Sequence, residues 1–333
     1  MKFSELDGRR VALWGVGRET SAFRSQLEQR LPGATITATI DDATPEPDAR
    51  AVLAEADVLV RSPGVSIYKP LIQAAIAGGT TVTTATGLWL AERGGRHVIG
   101  VTGTKGKSTT ATVIAHLLGQ VMVVELAGNI GRPVIELLDL DADAWVVCEL
   151  SSYQIADLTI GPEVAVLTNL SREHTDWHGG EQNYRADKLR LFTLPCVRVA
   201  VRPPNDGWPV MFEPGEIPLR GAHNARNVTA AIAAIEAAGL PLPQLPRALD
   251  GLAALPHRLQ TVHTDAAGTE WIDDSISTTP ESTIAALEAF AERPVVLIAG
   301  GSDRAQDYTR LAQTLAARGA DTALIMLPDT GSL

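Results

Sequence analysis

A chain of 333 residues, 45% of them hydrophobic, needs two or three domains, because one core rarely grows beyond about 250–300 residues. A formal net charge of −11 excludes nonspecific nucleic-acid binding. Two cysteines, Cys148 and Cys196, exclude a disulfide scaffold and fit a cytoplasmic protein, and no stretch is apolar enough for a leader or a bilayer span.

The first 93 residues predict a small α/β domain. Val11 to Trp14 reads as a strand, followed by Gly15-Val16-Gly17-Arg18-Glu19-Thr20. This Gly-x-Gly resembles a dinucleotide fingerprint, but Thr20 stands where the third Gly would be. Thr35 to Ile40, Asp57 to Arg61 and Thr80 to Thr84 read as further strands, the third closing in Ser62-Pro63-Gly64. Loops at such strand ends form either a ligand crevice or tight turns alone.

Residues 94–253 predict a second domain. Val98 to Val101 is a buried strand, and Thr102-Gly103-Thr104-Lys105-Gly106-Lys107-Ser108-Thr109 is a glycine turn before a helix over 110–118. Strand, glycine turn and helix are the setting of a phosphate loop. Backbone N–H groups of Gly103 to Thr109 point into one hollow, Lys107 reaches terminal phosphates, and Ser108 or Thr109 can hold Mg²⁺. The full pattern has Gly at position 101, where Val101 stands, so the loop is a variant.

Two buried strands follow. One ends at Glu149, and the other, Val164 to Asn169, opens into Ser171-Arg172-Glu173-His174. Strands alternating with helices argue for a mainly parallel sheet. Glu149 and His174 sit at its C-terminal ends, where they suit a Mg²⁺ bridging phosphates; the plainer readings are a surface carboxylate and a loop histidine. The chain has 23 Arg and five Lys, and two of the five are in the phosphate loop. Lys188, on a helix over 181–192, is either a helix-face cation or an amine kept for its chemistry, since a guanidinium cannot react in its place. Thr193 to Leu219 is proline-rich and poor in regular pattern. Asn224 and Asn227 precede a helix over 228–238 and suit capping or contact with a base or phosphate.

Residues 254–333 predict a third domain. Glu270 to Ser275 is a strand ending in acids, Thr279 to Phe290 a helix, and Pro294 to Ala299 a strand running into Gly300-Gly301-Ser302-Asp303-Arg304. A helix over 308–318 and a strand over 322–327 complete one βαβ unit, a small sheet that reads as incomplete.

Eight motifs occur in one order: Thr102 to Thr109, Gly128-Asn129-Ile130-Gly131, Glu149-Leu150-Ser151-Ser152-Tyr153-Gln154, Asn169 with Glu173 to Asp176, Tyr184 to Arg190, His223-Asn224, Pro256-His257-Arg258 and Asp273-Asp274-Ser275. In this order they resemble the Mur ligases, most closely the MurD type that joins glutamate to UDP-N-acetylmuramoyl-L-alanine. The resemblance implies three domains: a Rossmann-like one for the UDP substrate, a P-loop ATPase-like one, and a Rossmann-like C-terminal one that closes over both. It implies ATP and two Mg²⁺ ions, Ser108, Glu149, His174 and a carbamylated Lys188 as metal ligands, and Lys107 at the ATP phosphates. Asn227, Arg258 and Asp274 would meet the adenosine part. Gly15, Gly17, Arg18, Thr20, Ser62, Gly64, Asn129 and Ser151 would hold the UDP substrate. It also implies a monomer, with no nucleic-acid or membrane partner.

Two departures bear on the amino acid. Ile276 stands where a lysine is usual, and Arg304 replaces a lysine expected on the glutamate side-chain carboxylate. The run Ile276-Ser277-Thr278-Thr279-Pro280 resembles the branch that adds L-glutamate. A D-glutamate ligase and a non-catalytic nucleotide-binding relative are the alternatives.

Overall fold

The computed structural model describes the chain except residues 172–174, 214, 303–305 and 331–333. It divides into two compact units, residues 1–208 with 230–244, and residues 209–229 with 245–333.

The first unit opens with a four-stranded sheet. Strands β1 (Arg10–Trp14), β2 (Thr35–Ile40), β3 (Val58–Arg61) and β4 (Thr81–Thr83) alternate with helices α1 (Arg18–Arg30), α2 (Glu46–Glu55) and α3 (Pro70–Ala77). The order is β2-β1-β3-β4, and every pair is parallel. β1 and β3 are buried along nearly their whole length, as the continuous apolar runs require of strands covered on both faces. Helix α4 (Ala85–Arg93) starts at Thr84, whose hydroxyl accepts from the Gly87 N–H, and ends at Gly94 with φ 66°.

A five-stranded parallel sheet follows, with β5 (Val98–Thr102), α5 (Lys107–Leu118), β6 (Val124–Gly128), β7 (Trp145–Glu149), α6 (Ser152–Ile155), β8 (Val164–Leu167), α7 (Thr175–His178), α8 (Glu181–Arg190) and β9 (Val199–Val201). The order is β6-β7-β5-β8-β9. The chain leaves β5 for one side and later returns to the other. The loops after β5, β7 and β8 therefore meet at the topological switch, where open α/β sheets bind ligands. The two sheets share one core, in which Leu13, Phe23 and Trp89 pack in the same cluster as Val146, Leu150 and Leu167.

Helix α5 begins at Lys107, three residues before the expected start, because Gly106 at φ 80° already serves as its cap. β9 is one strand within the stretch 193–219, which reads as poor in regular pattern. Its three residues pair with β8, Val164 opposite Val199, and only that partner makes so short a run a strand.

The second unit holds an antiparallel hairpin, β10 (Gln260–Thr264) with β11 (Glu270–Asp273), and a parallel pair, β12 (Val295–Gly301) with β13 (Thr322–Asp329). Helices α10 (Pro280–Glu288) and α11 (Thr309–Arg318) accompany them, and α9 (Ala222–Ala237) begins in this unit. Register places Val296, Ile298, Ala323 and Ile325 on one face of the β12–β13 pair, and Val296, Ile298 and Ile325 are exposed.

Candidate active site

The turn after β5 is built from conformations that side chains resist. Gly103 sits at φ 149°, and a Cβ there would lie 1.9 Å from Thr168 Oγ. Asn169 clamps the loop: its Oδ1 accepts the Lys105 N–H and its Nδ2 donates to the Lys105 carbonyl, both at 2.9 Å. Thr104 Oγ1 bonds the Tyr184 hydroxyl at 2.8 Å and is met by the Ser171 N–H at 2.9 Å. Loops after β5 and β8 are thereby one assembly. Lys107, first in α5, folds over it and donates to the carbonyls of Gly103 (3.0 Å) and Thr104 (2.9 Å). Ser108 is buried and Thr109 half-buried in the first turn. A helix N-terminus of twelve residues, free of acid in its first turn, favours an anion here.

Two side chains of opposite charge flank this loop. Glu149 is 1% exposed, so the surface reading of it falls. Its Oε1 accepts from Asn129 Nδ2 at 2.9 Å, and its Oε2 is buried without a hydrogen-bond partner. An orphaned carboxylate oxygen is costly to bury, and a divalent cation satisfies it. Glu149 thus fits Mg²⁺. Lys188 is 2% exposed and donates to the Gly103 carbonyl at 2.7 Å, with its ammonium 5.1 Å from the Tyr184 ring centroid. It is no solvated helix-face cation. Lys107 and Lys188 meet at one carbonyl, and Glu149 pairs with Val101 at the end of β5. His174 lies outside the described residues. Among the described residues no three His, Cys, Asp or Glu gather as a metal site, so hydroxyl and phosphate oxygens would complete a Mg²⁺ shell.

The glycine turn after β1 adjoins this assembly. Gly15 stands at φ 92°, where a Cβ would lie 2.8 Å from Ser62 Cβ, and one on Gly17 would lie 3.1 Å from Ser62 Oγ. Thr20, in the third-glycine position, is buried, and its hydroxyl faces the carbonyls of Gly15 (3.0 Å) and Gly17 (2.9 Å). Its hydroxyl is spent inside the turn. Arg18 donates to the carbonyls of Gly131 and Asn129, both at 3.0 Å, which binds the first sheet's turn to the 128–131 turn. Ser151 caps α6 in a reciprocal box with Gln154. Gly64 gives its carbonyl to Trp177 Nε1 at 2.9 Å.

Several residues around this site carry no local signal. Arg61, 0% exposed, donates to Asp157 (2.8 Å) and to the carbonyls of Tyr153 (2.7 Å) and Val65 (2.9 Å), and lies over the Trp177 ring at 5.4 Å. Burial pushes the Asp157 carboxyl up, against the pull of Arg61. Glu19, beside Arg18, accepts from the Thr86 N–H and hydroxyl (2.9 Å each) and from Gln154 Nε2 (3.0 Å); burial raises it too. The one hint in the sequence was an arginine closing an apolar strand.

In the second unit, Asp274 accepts the Leu259 N–H at 2.9 Å, which fixes the turn carrying Arg258. Asp273 accepts from the Ser275 N–H and from His257, and these hold its carboxyl down at about 2. Helix α9 starts at Ala222, so Asn224 and Asn227 lie inside it rather than at its cap. Asn224 Nδ2 donates to the Arg220 carbonyl (2.8 Å) and its Oδ1 accepts from Asn227 (3.2 Å). Ile276 is exposed, and Arg304 lies outside the described residues.

Comparison with known proteins now bears on this geometry. Residues 101–203 match the model of the Mur ligase middle domain, and residues 257–332 that of the Mur ligase glutamate ligase domain. A UDP-N-acetylmuramoyl-L-alanine–L-glutamate ligase of Xanthomonas euvesicatoria is 37% identical over 95% of this chain and 79% of its own. One of the same name from a Micromonospora strain is 37% identical over 99% and 84%. Among solved structures, the UDP-N-acetylmuramate–alanine ligase MurC of Thermotoga maritima superposes with a TM-score of 0.57 at 16% identity, over 95% of this chain and 90% of that one. The MurF ligase of Thermotoga maritima in complex with ADP gives 0.55 at 14%, over 100% and 84%. These two share the fold. Over nearly its whole length, then, the chain belongs to the Mur ligase family, whose members are ATP-dependent enzymes that form amide bonds.

Proposed function

We propose that this chain joins L-glutamate to UDP-N-acetylmuramoyl-L-alanine, a step of peptidoglycan precursor synthesis, with cleavage of ATP to ADP and phosphate. The observation that carries the reading is the meeting of Lys107 and Lys188 at the Gly103 carbonyl beside the half-partnered Glu149. The curated relatives bear that activity in their names.

A carboxylate is a poor acylating agent, so it must be activated. In this reading the alanyl carboxylate oxygen attacks the γ-phosphorus of ATP and ADP leaves, giving an acyl phosphate. The amine of glutamate attacks its carbonyl, phosphate leaves, and one proton is released. Lys107 swings from its own loop carbonyls to the phosphates and offsets their charge. Bound Mg²⁺ would neutralise the remaining phosphate oxygens, with Ser108 or Thr109, Glu149 and His174 as candidate ligands. Addition of CO₂ to the neutral Lys188 amine forms an N–C bond, releases a proton and turns a cation into a carboxylate for a second ion. Gly103 to Thr109 cradle the phosphates through backbone N–H groups. Asn227, Arg258 and Asp274 are assigned to the adenosine part, and Arg304 to the glutamate side chain. Gly15, Gly17, Arg18, Ser62, Gly64, Asn129 and Ser151 are assigned to the UDP substrate; Thr20 supports that turn from within.

The proposal divides the chain into UDP-substrate (1–93), ATP (94–253) and glutamate (254–333) domains, acting as a monomer in the cytoplasm. No helix among the described residues is long and apolar enough to cross a membrane. Phosphate release from ATP with UDP-N-acetylmuramoyl-L-alanine, comparing L- with D-glutamate, tests it. Release with L-glutamate alone is expected. Release with neither enantiomer sinks the proposal, and release with D-glutamate alone sinks its stereochemistry.

A further inference from the structure

Close to Glu149, a serine, a histidine and an aspartate stand in a row. His178 Nδ1 lies 2.6 Å from Asp187 Oδ2, and Nε2 lies 2.9 Å from Ser152 Oγ. The carboxylate only accepts, so Nδ1 donates to it, and the Ser152 hydroxyl, which can donate or accept, partners Nε2. The Tyr68 phenol faces both oxygens of Asp187, at 3.0 and 2.9 Å. The row has the order of a nucleophilic triad, but Ser152 is 2% exposed and His178 0%, so no acyl group reaches the hydroxyl.

What the row joins is more telling. Ser152 is the first residue of α6, three positions after Glu149 ends β7. Asp187 immediately precedes Lys188 on α8. An imidazole bonded at both nitrogens in a dry interior fixes the spacing of these two elements. Its ring also packs edge-on against Tyr184, 5.3 Å between centroids, and Tyr184 in turn holds Thr104 of the phosphate loop. Glu149, Lys188 and the phosphate loop are thus tied to one ring.

We propose that His178 is a positioning residue, a clamp between Ser152 and Asp187 that sets Lys188 against the phosphate loop. The inference rests on the reading of Lys188 as a carbamylated ligand, and the experiment separates the two. Full-length wild type, His178→Ala, His178→Asn and Ser152→Ala are compared for kcat, for KM of the UDP substrate, for cooperative thermal unfolding, and for a carbamate carbon signal in NMR after loading with ¹³C-bicarbonate. His178→Ala is expected to lose the carbamate signal and about 100-fold in kcat, the cost of a misplacement of roughly 1 Å, with KM unchanged. His178→Asn, which restores a donor to Asp187, recovers part of both, and Ser152→Ala loses less than either. Should His178→Ala fail to fold, His178→Asn and Ser152→Ala carry the test by the same split of kcat from KM. Wild-type kcat and carbamate signal in the folded histidine variants overturn the clamp. A wild type without any carbamate signal overturns the reading of Lys188 alone, and kcat against KM still judges the clamp.

Discussion

The phosphate loop and the knot around Arg61, Trp177 and His178 adjoin one another but are made in opposite ways. The loop is local: eight consecutive residues, two glycines at positive φ and a helix N-terminus fix its shape, and Asn169 pins it from the next strand end. The knot is assembled from four distant stretches. Arg61 comes from the first sheet, Tyr153 and Asp157 from the segment after β7, Trp177 and His178 from α7, and Asp187 from α8. Tyr153 stacks on Trp177 at 4.4 Å, the Trp177 indole donates to the Gly64 carbonyl, and Arg61 bonds the segment after β7 at Tyr153 and Asp157 and its own loop at Val65 while lying over the Trp177 ring. Chemistry concentrates where the backbone alone sets the shape, and the alignment of that chemistry rests on contacts far apart in sequence.

If this contrast holds, damage at the Arg61–Asp157 end of the knot is read first in stability, and damage to the loop, or to the His178 clamp that aligns Lys188 with it, first in turnover. Replacing Arg61 with Met leaves Asp157 buried and unpaired, and a loss of about 3–5 kcal/mol is expected in denaturant unfolding. A loss below about 1 kcal/mol would make the pair an ordinary surface-like ion pair and erase the contrast. Lys107→Ala should lower kcat for phosphate release about 100- to 1000-fold, as removal of one charge-stabilising donor does, with the unfolding midpoint unmoved. A variant that unfolds early would show that the lysine's bonds to Gly103 and Thr104 are structural.

Smaller changes sharpen the boundary. Trp177→Phe keeps the stack on Tyr153 but deletes the indole donor to Gly64, and should cost about 1 kcal/mol of stability. Because Gly64 belongs to the loop assigned to the UDP substrate, KM for that substrate should rise while kcat holds; an unchanged KM would detach the knot from that loop. The smallest effect is on Tyr68, whose phenol burial and Asp187 push up to about 12 from 10.0. Its folded value lies above the unfolded one, so its contribution is complete below pH 10 and fades as pH rises toward 12. Spectrophotometric titration of wild type against Tyr68→Phe should reveal one phenol ionising late. If the difference titrates at the ordinary value, the bond to Asp187 is absent in solution.

The scarcity of lysine singled out Lys188, and its burial explains why the signal existed: an amine held at a carbonyl in a dry site does not exchange freely for a guanidinium. Glu149 was legible because it ends an apolar run, which places it at the C-terminal edge of a parallel sheet. His178 was not, since nothing in its neighbours announces that Ser152 and Asp187 flank it. β9 was missed because three residues carry too little periodicity without the strand beside them, and the capping role of Asn224 was misjudged because the helix begins earlier than its apolar face.

By itself, then, the sequence determined what is periodic or contiguous: alternating strands and helices, the glycine turns and the phosphate loop, since backbone dihedrals and apolar spacing act within a few residues. Only the tertiary structure decided the sheet orders, the shared core of the first two sheets, the orphaned oxygen of Glu149 and the imidazole row of His178. Those depend on which distant segments exclude water together, and burial is a property that no short window of residues possesses.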